Sequence, residues 1–414
     1  NKFNFKKTFS VSEIQKRLGK DDALIYLKNS MSATAIVITK KNFIVNANAN
    51  IGNLKGNVFQ KFKVDLKKNL LKSVNNKNNS VAINSTKVFG ALIYQQFLKQ
   101  VEPYINDKKN LYFITDKYMS DIPFELLVVN KEIKHEGLET LLREGFEAEY
   151  LIEKFNIKYL PNTASLMELQ KNNVSQLEKS NFNFLGVGNP KFLKPNTMLS
   201  SLIINLNSRG FLKDVDKINS NYEELPFTGK ELSTLKNIFK KSTVLEYTAA
   251  TETNVKSLDL KKFNIINFAT HAEVSSAFQG FNEPFLVLTP PKISSEMDDG
   301  LLTSSEVSGL NLNANLVILS ACDTSAKKNQ YASGFSGLIS SFLLAGANSV
   351  VATHWPVDDN AGYLLMTETM KKFVHSDLDF SEALRKTKIE FIKGKFEGKF
   401  KNPFFWAPYV YVGI

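Results

Sequence analysis

Short β-rich apolar runs, separated by helical segments, govern what the second half of this chain can fold into. Phe182–Val187, Asn264–Ala269, Leu286–Thr289, Leu316–Ser320 and Ser349–Thr353 are such runs. Lys230–Phe239, Gly334–Ala345 and Ser381–Ile392 carry helical periodicity around them. Near-continuous apolar strands suit a sheet buried on both faces, and their alternation with helices argues for a mostly parallel sheet covered on each side. The expected class is therefore α/β, a three-layer sandwich around a mostly parallel central sheet.

The first half is less regular. Val11–Leu18 reads as a helix, followed by strands Ala23–Leu27 and Ala33–Thr39 joined as a hairpin through Lys28–Ser32. Leu54–Gln100 is helical in period around the surface loop Asn75–Ser80. Leu111–Thr115 is a short strand, Pro123–Leu127 an apolar turn, and a charged helix-like region runs on to Lys154. The polar segment Lys171–Asn181 marks the boundary, giving domains 1–170 and 171–414. Asn110–Thr115 echoes Asn315–Ser320 without a cysteine after it, as expected of two related α/β halves of which one keeps the chemistry.

Composition removes several classes. A hydrophobic content of 43% excludes a disordered or collagen-like chain. The most apolar stretch, Gly337–Trp355, is interrupted by Ser340, Ser341, Gly346, Asn348 and Ser349, so it reads as a buried helix and strand rather than a membrane span. The single cysteine, Cys322, excludes an intrachain disulfide framework and a multi-cysteine zinc site, and suits a reducing, cytoplasmic compartment. With no P-loop, HExxH or zinc spacing, neither a cofactor nor a metal is expected. The net charge of +11 is spread thinly over lysines, so a solvated basic surface is expected rather than a direct nucleic-acid site. The start at Asn1, without a signal-peptide pattern, fits an excised segment of something longer.

Cys322 lies two residues beyond one strand-like run and His271 at the end of another. In an open parallel sheet, sites form outside the carboxyl ends of the strands. A thiol becomes an effective nucleophile as thiolate, and a nearby imidazole can take its proton and return it to a leaving amine. The backbone amides of Cys322 and Ala272 are candidates for holding the oxyanion. Cys322 follows His271 by 51 residues, close to the caspase spacing, although the caspase pentapeptide around the cysteine is absent.

Three blocks carry a resemblance: Ile265–His271, Asp299–Thr303 and Leu316–Thr324. It continues through Gly334–Leu338, Ala345–Ala347, His354–Asp359, Pro403 and Trp406–Ala407, and upstream through Asp22–Tyr26, Ile122–Leu127 and Leu185–Pro190. Together these resemble the CHAT family, caspase-like cysteine peptidases related to separases and often attached to tetratricopeptide repeats. The resemblance implies an amino-terminal pseudo-protease half, an active carboxy-terminal half, a Cys322/His271 dyad and cleavage of a protein substrate. It also implies activation by a partner or sensor, in bacterial defence or programmed cell death, with a repeat-containing or RNA-guided partner among the known arrangements. A catalytically degenerate interaction module on the same fold is the alternative.

His354 departs from the apolar residue usual before the tryptophan, and His135 and His375 read as solvated. Asp358 and Asp359 follow Trp355–Val357. By resemblance to separases, Asp359 reaches the pocket for a basic side chain, with Asp358, Asp323 and Trp355 as further candidate pocket residues. Either aspartate could equally cap a helix starting near Asn360. Lys327–Ser333 is either a gating loop or an ordinary surface connection.

Overall fold

The computed structural model describes residues 8–29, 33–48, 68–70, 73, 80–116, 119–134, 136–168, 178–192, 222, 225–273, 283–292, 295, 297–320, 335–355 and 357–414. The strands are β1 (Asp22–Asn29), β2 (Ala33–Thr39), β3 (Phe43–Asn48), β4 (Asn110–Thr115), β5 (Asn156–Tyr159), β6 (Asn183–Pro190) and β7 (Lys241–Tyr247). They continue with β8 (Ile265–Ala269), β9 (His271–Glu273), β10 (Phe285–Val287), β11 (Leu301–Thr303), β12 (Leu316–Leu319), β13 (Ser349–Thr353) and β14 (Tyr409–Gly413). The main helices are α1 (Val11–Arg17), α2 (Ser80–Ile93), α3 (Pro226–Ile238), α4 (Glu252–Ser257), α5 (Ser304–Gly309), α6 (Phe335–Ala345), α7 (Asp359–Val374) and α8 (Phe380–Ile392). They form two compact units, Asn1–Lys171 with Leu378–Ile414, and Asn172–Asp377.

The first unit holds the strand order β3-β2-β1-β4-β5-β14. β1, β2 and β3 are antiparallel, and the expected hairpin pairs Ala23 with Thr39 through Asn29 with Ala33. β4, β5 and β14 add in parallel. Leu378–Ile414 folds here, though last in the chain, because β14 pairs with β5 and α8 is bonded to the same region. The Asn156 amide donates to the Ser381 hydroxyl at 2.8 Å, and the Arg385 guanidinium donates to the carbonyls of Ile152 and Glu153 at 2.8 and 2.6 Å. A buried network reinforces this join. Lys388 donates to Glu125 at 3.1 Å and to the Tyr409 carbonyl, while the Tyr159 hydroxyl donates to Glu125 at 2.5 Å.

The second unit holds β13-β12-β8-β6-β7, all parallel where paired. Every residue of β8, β12 and β13 is buried, as it must be for strands covered on both faces. Successive side chains of β8 show the layers directly. Asn267 bonds to Glu231 of α3, whereas Phe268 packs against Phe342 of α6 with ring centroids 5.4 Å apart. Alternate strand residues face opposite ways, so α3 and α6 lie on opposite sides of this sheet. The mostly parallel α/β sandwich expected from the alternation is the observed architecture.

One run is placed differently. Leu286–Thr289 does not join the parallel sheet. β10 is the centre of a separate antiparallel sheet, ordered β11-β10-β9. Its three residues are all buried, so an apolar run alone could not reveal which sheet it enters. Among the described residues, no helix is long and apolar enough to cross a membrane.

Candidate active site

The second unit's parallel pair β8 and β12 carries the geometry of interest. Ile265 stands opposite Leu316 and Phe268 opposite Leu319, and β8 runs one residue beyond β12. His271 is the third residue after Phe268 in the sequence, and Cys322 the third after Leu319. Cys322, Asp323 and Lys327–Ser333 lie outside the described residues, as do His135 and Pro356.

His271 does not end β8, as expected, but opens β9 after a single intervening residue. That residue, Thr270, is fully buried and its hydroxyl donates to the carbonyl of Val287, tying the β8–β9 corner to β10. His271 itself stands opposite Val287. Only 3% exposed, its ring lies 5.0 Å from that of Tyr222 and 5.9 Å from that of Phe192. These aromatics belong to an apolar cluster with Phe285, Val287 and Leu301. Such walls restrict the imidazole to few orientations. Ala272 is buried in the ladder opposite Leu286, and the buried Glu273 shares His271's face of β9. Neither the aromatic walls nor Thr270 was anticipated from the sequence. Phe192 and Tyr222 lie outside the regular elements, far apart in the sequence, and show no period that would mark them.

A clamp fixes the far edge of this small sheet. Glu252, fully buried on α4, accepts backbone N–H bonds from Asp299, Gly300 and Leu301 at 2.9, 2.7 and 3.1 Å. Lys256 bridges Glu252 and Glu306, each at 2.7 Å. Burial pushes the Glu252 carboxyl up to about 7, against the pull of Lys256. Gly300 has φ 88°, a conformation that favours glycine. Thus the Asp299–Gly300 turn is held where β11 begins, β11 pairs with β10, and β10 pairs with the strand bearing His271.

A second buried carboxyl lies beside the parallel strands. Glu231 occupies the inward stripe of α3 with Thr228, Leu232 and Leu235. The Asn267 amide donates to its Oε1 at 2.7 Å. Burial pushes this carboxyl up to about 7; the Asn267 amide and Ser320 hydroxyl oppose the shift, and the charge of Asp359 adds to it. Both residues had a sequence signal, a polar side chain inside an otherwise apolar stripe or strand.

Asp358 and Asp359 both engage helix starts. The exposed Asp358 caps α7, its carboxylate accepting from Ala361 N–H at 2.9 Å. Asp359, half-buried, accepts from the Phe227 N–H in the first turn of α3 at 3.2 Å. Burial raises its pKa, with the Phe227 bond opposing and Asp358 adding. Trp355 is 4% exposed, so it belongs to the packed interior of the region after β13. His354 follows β13 directly and is half-buried; His375 is exposed at the end of α7. Among the described residues, no group of three or more His, Cys, Asp or Glu could hold a metal ion.

The CHAT domain family model matches residues 87–414. The chain belongs to the CHAT family. No curated protein sequence matches this CHAT protein. Among solved structures it is similar to Saccharomyces cerevisiae separase in two separase–securin complexes, at 12% identity and TM-scores of 0.52 and 0.50. Those alignments cover 97% of this chain and 30% of the separase chain, so the chain spans under a third of that relative's length. The Arg-specific cysteine proteinase gingipain R is also matched, at 10% identity and TM-score 0.43, over 95% of this chain and 77% of that one. At such identities the likeness is one of fold, the caspase-like α/β fold.

Proposed function

We propose that this CHAT chain is a caspase-like cysteine endopeptidase in which Cys322 attacks and His271 moves the proton. The observation that carries the reading is the register of β8 and β12. Adjacent parallel strands lie about 5 Å apart, Phe268 and Leu319 are level, and the imidazole and the only thiol follow each by the same number of residues. Packing of His271 against Tyr222 and Phe192 supports a fixed imidazole orientation.

In this mechanism His271 takes the thiol proton, and the thiolate sulfur bonds to the scissile carbonyl carbon. The resulting oxyanion is held by the backbone amides of Cys322 and Ala272. Collapse breaks the C–N bond, and the amine leaves with the proton from His271. A thioester remains on Cys322. Water, deprotonated by His271, then attacks this thioester, releasing the carboxylic acid and restoring the thiol. Asp359 is the proposed acid of a pocket for a basic side chain, with Asp358, Asp323 and Trp355 as further candidates; a half-buried carboxylate suits Arg or Lys.

A partner or sensor switching the enzyme on, in cytoplasmic bacterial defence or cell death, completes the reading. The separase relative was solved bound to securin, a protein partner. Repeat-containing and RNA-guided assemblies are the candidate partners here. The test compares wild type with Cys322→Ala and His271→Ala on a peptide library, with and without lysate from the native host. Loss of turnover by at least about a thousandfold in both variants is expected. Equal processing by Cys322→Ala would leave the interaction module as the function.

A further inference from the structure

We propose that Glu231 is a positioning residue for this site, a single carboxyl on α3 that braces the strand leading into His271. The inference rests on the dyad reading above. Glu231 is 4% exposed and bonded to Asn267, a fully buried residue four positions before His271. On the neighbouring strand, Ser320 immediately follows β12, two positions before Cys322, and its buried hydroxyl has no hydrogen-bond partner among the described residues. Asn267 stands opposite Ile318, and Ser320 shares Ile318's face by alternation. Glu231 therefore holds β8 close to its carboxyl end, on the face that Ser320 shares.

Packing does not explain an acid here. Its neighbours on the stripe, Leu232 and Leu235, are fully buried, and a leucine would fill such a position without burying a carboxyl. The other charged groups around it do not neutralise it. Asp359 of α7 faces it and repels. Glu246 of β7 is itself raised by burial. Lys230, next to it on α3, lies 4.4 Å from the ring centroid of Tyr363 on α7. In its charged form Glu231 accepts from the Asn267 amide. In its acid form it gains a donor, and Asn267 Oδ1, without a hydrogen-bond partner among the described residues, is the acceptor at hand. Proton uptake thus changes how the brace is made without dissolving it.

The experiment uses the single cysteine as its own reporter. Iodoacetamide alkylation of Cys322 and peptide turnover are followed from about pH 5 to 9 in wild type, Glu231→Gln and Glu231→Leu. Thermal unfolding checks that each variant is folded. Glu231→Leu should lower kcat about tenfold with KM little changed, and slow alkylation similarly. Glu231→Gln, which keeps an acceptor for Asn267, should recover most of both and lose an inflection near neutrality seen in wild type. Superimposable profiles for wild type and folded Glu231→Leu would overturn the proposal. So would an inflection persisting in Glu231→Gln, which decides the matter if the leucine variant does not fold. Turnover surviving in Cys322→Ala would instead remove the dyad reading, while the alkylation profiles still report on Glu231.

Discussion

Glu231 also sets a pH dependence of stability that can be worked out by sign. Its carboxyl is pushed up from the usual 4.5 to about 7 in the folded chain, so the folded state holds this proton more tightly than the unfolded one. The stability so contributed is complete below about pH 4.5 and is lost as pH rises through about 7. A shift of this size corresponds to about 3 kcal/mol. Glu231→Gln cannot ionise, so its advantage over wild type should grow by up to that amount between acid and mildly alkaline pH, measured by urea unfolding at each pH. A constant difference would show that the carboxyl titrates normally. Asp359 calls for a different substitution, because its oxygen also serves the start of α3. Asp359→Asn keeps an acceptor for the Phe227 N–H but removes the charge. Turnover of peptides cut after Arg or Lys should fall about tenfold, while stability stays within about 1 kcal/mol. An unchanged preference would remove Asp359 from the pocket and leave it as a cap.

Among elements, the small sheet β11-β10-β9 links the α4 clamp to His271. Replacing Glu252 by Ala takes the acceptor from the Asp299 and Gly300 N–H groups, leaves Leu301 N–H with Asp299 Oδ1 alone, and removes a partner of Lys256. The expected loss is about 3 kcal/mol or more in urea unfolding, with peptide turnover falling further than stability alone accounts for under folded conditions. Wild-type turnover in a folded Glu252→Ala chain would separate the clamp from the site. Gly300→Ala should cost about 1–2 kcal/mol, because φ 88° strains any residue with a Cβ. The sequence made the parallel strands legible, since a covered strand must be apolar at nearly every position. It hid the antiparallel sheet for the same reason. Phe285–Val287 is apolar throughout, and its partners are three-residue strands too short to show a period of two. It likewise hid the surroundings of His271, because Phe192 and Tyr222 come from outside the regular elements and meet the imidazole only in the folded chain.

At the scale of the molecule, pairing between residues far apart in the sequence escapes local reading most completely. β14 joins β5 from about 250 positions away, and neither strand is long enough to announce itself. What secures this return is chemical as well as geometric. Lys388 and Glu125 are 1% and 2% exposed and lie 3.1 Å apart. Burial lowers the Lys388 pKa and, with the adjacent carboxylate, raises that of Tyr159 well above its usual value. Removing one partner leaves the other charge buried without compensation, whereas replacing both by apolar side chains removes both charges and leaves only the Tyr159 hydroxyl and the Tyr409 carbonyl to be satisfied. Lys388→Met should therefore lose about 3–5 kcal/mol in urea unfolding, and Lys388→Met with Glu125→Leu should regain most of it. If the double variant is as unstable as the sum of its single changes, the pair is not coupled. The return of Leu378–Ile414 to the first unit would then rest on the β14–β5 ladder and the Arg385 and Ser381 hydrogen bonds.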